Sequence, residues 1–351
     1  MLSDGLRMTA KRYTKRGFLR ASAQGLGGLA AWKVFRSLGL GRTALADSIH
    51  SGPSRFAQKA LGTVALARNE KLLTDGAYNT DVARDMLNRS LTSLLNMKDP
   101  EAAWKTLFRS RDVVGIKPNC LAGRNLSPHP ELVKCIIEGL KTAGVREENI
   151  IIWERTSRDL EAAGFPVNAS GAGVRCAGND VLGFEEEPES SGEIGSCFAR
   201  VLSTHCTALI NVPVLKDHDL AGVCVGMKNM FGGIHNPNKY HDHNCDPYVA
   251  HLSAHPYIKD KLRLIVCDAG LAECDGGPSY KPRGAWKFNG LLVGTDPVAL
   301  DWFGAKIIED RRRETGLRPL KAVGREPKWL ATAAGLRLGI EDPPKTKIIE
   351  V

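Results

Sequence analysis

Val113-Val114-Gly115-Ile116-Lys117-Pro118-Asn119 and Ile150-Ile151-Ile152-Trp153-Glu154 decide the fold. Each opens with a short continuous apolar run, the pattern of a strand buried on both faces. Between them, residues 131–142 carry Leu132, Cys135, Ile136 and Leu140 at helical spacing, and Gly144 follows as a stop. A strand, a helix and a second buried strand predict neighbouring parallel strands joined by a covering helix.

The same alternation extends outward in both directions. Upstream, 62–67 reads as a strand and 81–97 as a helix with Val82, Met86, Leu87, Leu91, Leu94 and Leu95 on one stripe. Downstream come strands at 208–212, at 262–267 ending on Asp268, and at 290–293, the last running into a helix at 297–309. A helix is expected to begin after Asp219, another at 329–336, and a final strand at 347–351. The fold class is α/β: a largely parallel, doubly wound (Rossmann-like) sheet with helices on both faces. Such sheets bind ligands beyond the carboxyl ends of their strands. Lys117, Asn119, Glu154, Lys216 and Asp268 are each expected at or just past such an end.

The chain has 351 residues and a formal charge of +9, from 48 basic and 39 acidic side chains. Nine of the basic residues and one acid precede Asp47, so residues 1–46 carry +8 and the rest +1. A nearly neutral body lacks the clustered positive field that phosphate backbones require, which argues against nucleic acid as a partner. No apolar run approaches the ~18 residues of a membrane span. Within the leader, Thr14-Lys15-Arg16-Gly17-Phe18-Leu19-Arg20 precedes a mildly apolar stretch and then Ala44-Leu45-Ala46. It resembles a twin-arginine export signal, with Lys15 in place of the first arginine. Export would make the translocation machinery a partner and the destination periplasmic; without a working signal the protein stays cytoplasmic. The organisation expected is a leader at 1–46 and one α/β domain at 47–351, with a division into two lobes near 200 as the alternative.

Nine cysteines occur, all after Asp47, and no pair has the C-x-x-C spacing, so iron–sulfur and common structural zinc motifs are missing from this sequence. Histidines are concentrated instead: His235, His241, His243, His251 and His255 fall within 21 residues. His241, His243 and Cys245, with His218 approaching from a strand end, offer imidazole and thiolate donors suited to a divalent transition metal. His251 and His255 have helical metal-pair spacing, but no glutamate follows His251 and Pro256 disfavours helix at His255. Lys117, Lys216 and Lys228, with Asn119 and Asn229, form the candidate anion site. Glu154 and Asp268 are the candidate proton-transfer groups. Asp296 before Pro297 reads as a helix cap, and Gly276-Gly277-Pro278 as a permissive turn near Asp268. No serine-hydrolase elbow, Walker loop or dinucleotide fingerprint is present.

Lys117-Pro118-Asn119, His129-Pro130-Glu131-Leu132-Val133, residues 211–218 (Asn-Val-Pro-Val-Leu-Lys-Asp-His), residues 227–232 (Met-Lys-Asn-Met-Phe-Gly), Cys245-Asp246-Pro247 and residues 295–301 together resemble the DUF362 family. The resemblance spans about residues 62–351 and implies little chemistry, because that family is a domain of unknown function. Some members carry a ferredoxin-like cluster module whose cysteine runs this chain lacks, so electron transfer would need a separate redox partner protein. Two functions are open from the sequence: a metal-dependent enzyme acting on a small anionic molecule, or a non-catalytic ligand carrier, metal carrier or assembly factor.

Overall fold

The computed structural model describes residues 60–340 and 345–351. The leader therefore lies outside the described residues. Ten strands form the main sheet: β1 (Thr63–Arg68), β2 (Val114–Pro118), β3 (Ile150–Glu154), β4 (Arg175–Gly178), β5 (Ala208–Val212), β6 (Val214–His218), β7 (Gly222–Cys224), β8 (Leu262–Glu273), β9 (Ala285–Gly294) and β10 (Lys347–Glu350). Their order is β10-β1-β9-β8-β5-β2-β3-β4, with β6 paired to both β7 and β8. The run β8-β5-β2-β3-β4 is parallel throughout, whereas β9 is antiparallel to both β1 and β8. The sheet is thus mixed and mostly parallel, and strands from both sides of residue 200 share it.

Alternation along each strand sorts the apolar side chains into two cores. Ala65, Val114, Ile116, Ile150, Ile152, Ile210, Val266 and Leu291 face one side. There they meet α1 (Thr80–Leu95), α2 (Pro100–Leu107) and α3 (Pro130–Thr142). Val64, Ile151, Trp153, Leu209, Ile265, Cys267 and Leu292 face the other, under α4 (Pro297–Glu314), α5 (Trp329–Gly335) and the shorter turns between β7 and β8. Burial on both faces is why β2, β3 and β5 read as unbroken apolar runs rather than alternating ones. No described helix is long and apolar enough to cross a membrane.

Two local expectations are corrected. The segment after Asp219 is not a helix: Gly222–Cys224 returns antiparallel to Val214–His218, pairing Lys216 with Cys224 and His218 with Gly222. Gly222 takes a positive φ of 83°, and a Cβ there would meet the Arg325 carbonyl, so glycine is required where this hairpin turns. The strand expected to end at Asp268 continues to Glu273, which places Asp268 in mid-strand. The cap at Asp296 is as expected, its Oδ1 accepting the N–H groups of Val298 and Ala299 at 2.9 Å each.

Candidate functional site

A cleft of about 420 Å³ opens beyond the carboxyl ends of β2 and β3, where such sheets are built to receive ligands. Its walls include Lys117, Asn119, Glu154, His218, Cys224, Lys228, Asn229, Phe231 and His241. Lys216 of β6 joins it through hydrogen bonds to two of its wall residues: its Nζ donates to Asn119 Oδ1 at 3.2 Å and to the Pro278 carbonyl at 3.0 Å. Most of the side chains chosen from the sequence thus meet at one place, and the structure divides them into two groups.

The first group is saturated. Lys117 Nζ donates to Glu154 Oε1 at 2.7 Å, the Pro118 carbonyl at 2.7 Å and Asn229 Oδ1 at 3.2 Å. Glu154 also accepts the backbone N–H groups of Cys120 at 2.9 Å and Arg155 at 2.6 Å. Asn229 Nδ2 donates to the Lys117 carbonyl at 3.1 Å and to Asn211 Oδ1 at 2.8 Å. A buried, multiply hydrogen-bonded pair fixes the ends of β2 and β3. Lys117, Glu154 and Asn229 therefore shape the cleft, and Glu154 is held by its ammonium partner and two backbone N–H groups.

The second group is open. Lys216 and Lys228 are 0% and 6% exposed, and neither has a carboxylate within ion-pair distance among the described residues. Burial lowers the pKa of both ammonium groups, and Cys224 is the leading influence that offsets it in each. Lys228 Nζ lies 3.9 Å from the centre of the Phe231 ring and 3.1 Å from His241 Nε2. His241 Nδ1 faces the Asn238 carbonyl at 3.2 Å, which assigns the ring proton to Nδ1 and leaves Nε2 to accept from Lys228. His218 Nδ1 accepts from the Leu220 and Ala221 N–H groups at 3.1 and 3.2 Å, so its proton is assigned to Nε2. Burial first, then the charges of Lys228, His241 and Lys216, lower His218 to about 2. The exposed Asp219 carboxylate, 3.0 Å from Nδ1, does not outweigh them.

The four expected metal donors do not converge. His218 and His241 stack with centroids 5.7 Å apart, but His243 and Cys245 are not among the cleft-lining residues. His243 sits in a left-handed turn with φ 52°, and the buried Cys245 thiol points at the His241 carbonyl, 3.9 Å away. Among the described residues no group of three or more His, Cys, Asp and Glu side chains is arranged to hold a metal ion. The nitrogen that His241 would offer a metal already receives the Lys228 ammonium. His251 and His255 are occupied elsewhere: His251 Nδ1 accepts the Glu193 N–H at 2.9 Å, and His255 stacks on Phe198 at 4.1 Å.

Asp268 is also elsewhere. It accepts the His129 backbone N–H at 2.9 Å, faces His129 Nδ1 at 2.8 Å and accepts the Gly270 N–H at 2.9 Å. The glycine pair expected beside it serves Asp217 instead, which accepts from Gly276 at 3.2 Å and Gly277 at 2.9 Å.

The residue that sequence reasoning passed over is Cys224. A hairpin in place of the expected helix brings it opposite Lys216. The signal available was Asp219 with Gly222 a few residues after a strand, a turn composition that competes with a helix start. Among curated proteins, none matches this chain. The family model for the domain of unknown function DUF362 matches residues 114–306, a span that contains β2 through most of α4 and every residue of the cleft. Matched over more than half its length, the chain belongs to the DUF362 family.

Proposed function

We propose that this protein binds a small oxyanion, a carboxylate or phosphate, in the cleft, with Lys228 and Lys216 supplying the charge. One observation carries the reading: two lysines are buried beside a cavity with no carboxylate partner among the described residues. A buried ammonium without a counter-ion is costly, and an anion entering the cleft removes that cost. His218 Nε2–H and Asn119 supply neutral donors able to orient the oxyanion. Glu154 and Lys117 hold the walls. Binding is the whole of this reading.

Calorimetric titration of the full chain with malonate and, separately, inorganic phosphate tests it. An anion beside Lys228 and Lys216 raises their lowered pKa values, so binding should take up protons and weaken as pH rises. The heat should accordingly depend on the ionisation enthalpy of the buffer. Lys228→Met and Lys216→Met should each weaken binding about tenfold or more. Lys216→Met should melt no lower than the parent, since methionine removes an unpaired buried charge at similar volume. Buffer-independent heats, or full affinity in both variants, would end the anion reading.

A further inference from the structure

The cleft contains a nucleophile that the binding reading does not use. Cys224 Sγ accepts from Asn119 Nδ2 at 3.4 Å. The same amide's oxygen accepts from Lys216 Nζ at 3.2 Å, so Asn119 bridges thiol and ammonium. Lys216 and Cys224 are also cross-strand partners in the β6–β7 hairpin, which puts their side chains on one face. Lys228 lines the same cleft as Cys224. Two lysines and an amide N–H thus share the cleft with this sulfur.

We propose that Cys224 is a cleft nucleophile that attacks small carboxylates bearing an electrophilic carbon. The inference rests on the anion reading: the carboxylate sits against Lys228, and the carbon beside it meets Sγ. In the step, the thiol proton passes to water, a sulfur lone pair forms the S–C bond, and the leaving group departs with the electrons of the bond it loses. No oxidant or reductant is required. The lysines hold the substrate's charge, which places the electrophilic carbon beside the sulfur.

Iodoacetate and iodoacetamide are the probes, identical in their reacting carbon and different in charge. Ordinary thiols react faster with the neutral amide. In the folded full chain, peptide mass spectrometry should find Cys224 alkylated about tenfold faster by iodoacetate. Cys197, which is partly exposed, should keep the ordinary order and serves as the internal reference. Lys228→Met should abolish the iodoacetate preference at Cys224. Malonate should protect Cys224 from iodoacetamide in the unaltered protein, a measurement that needs no variant. Failure of both reagents at Cys224 while Cys197 reacts would overturn the nucleophile, and anion binding seen by calorimetry would survive that result. The ordinary reagent order at Cys224 without malonate protection would overturn the substrate class.

Discussion

At the scale of single residues, His218 has the protonation state most firmly set by its surroundings. Two backbone N–H groups point at Nδ1, and neighbouring ammonium groups oppose a second ring proton. Unfolded, the ring returns to an ordinary imidazole, so between about pH 6.5 and about pH 2 the unfolded chain binds a proton that the folded chain does not. Its contribution to stability is complete above the unfolded value and is lost as pH falls toward the folded one. His218→Asn can present Oδ1 where Nδ1 now accepts. It should flatten the acid side of the stability–pH profile measured by urea melts between about pH 4 and about pH 7. An unchanged slope would show that the ring is not held neutral. Asp301 and Glu273 run the other way, since burial raises each to about 7 and their contribution falls as pH rises toward that value. The histidine is therefore to be read from the difference between variant and parent. The residue types of the cleft were legible in the sequence, because strand ends can be located from apolar runs. Their partners were not: nothing local shows that Lys117 is consumed by Glu154, 37 residues away, while Lys228 is left open.

At the scale of elements, α3 shows how tertiary packing reverses a propensity. Glycine within a helix is ordinarily worse than alanine by about 1 kcal/mol. Gly139 in α3 lies against the buried Trp104 of α2, and a methyl group there would sit 2.1 Å from the indole ring. Gly139→Ala should accordingly destabilise the protein by about 1–3 kcal/mol in equilibrium unfolding, and a gain in stability would mean the two helices can separate freely. The elements read best from sequence are those buried on both faces. The strand at 208–212 is found with the bounds expected, and the strand at 150–154 gains only its last residue. Those read worst belong to the segment between β5 and β8. Its short turns owe their shape to contacts made elsewhere: both Asp301 oxygens of α4 accept N–H groups from the turn holding Lys228, Gly226 at 2.6 Å and Met227 at 2.8 Å. A periodicity window cannot register a carboxylate arriving from a helix about 75 residues later.

At the scale of the whole molecule, the net charge is unevenly distributed along the chain. Residues 1–46 carry +8 and the rest +1. A protein beginning at Asp47 should elute far earlier from a cation exchanger, with a melting temperature changed by no more than about 1 kcal/mol of stability allows. A collapse on truncation would assign those residues to the folded body and would sink the export reading of the leader. The sheet order has a further consequence, in time rather than in space. β1 is the first described strand of the main sheet to be synthesised, yet it pairs with β9 and β10, from residues 285–294 and 347–350. β2, β3 and β4, in contrast, pair with one another within 65 residues of chain. During translation the parallel half can assemble early, while β1 waits, its hydrogen-bonding edges unpaired, until more than 220 further residues have left the ribosome. A nascent chain stalled before residue 285 would thus present β1 to any chaperone within reach, and release from that chaperone would coincide with the arrival of β9.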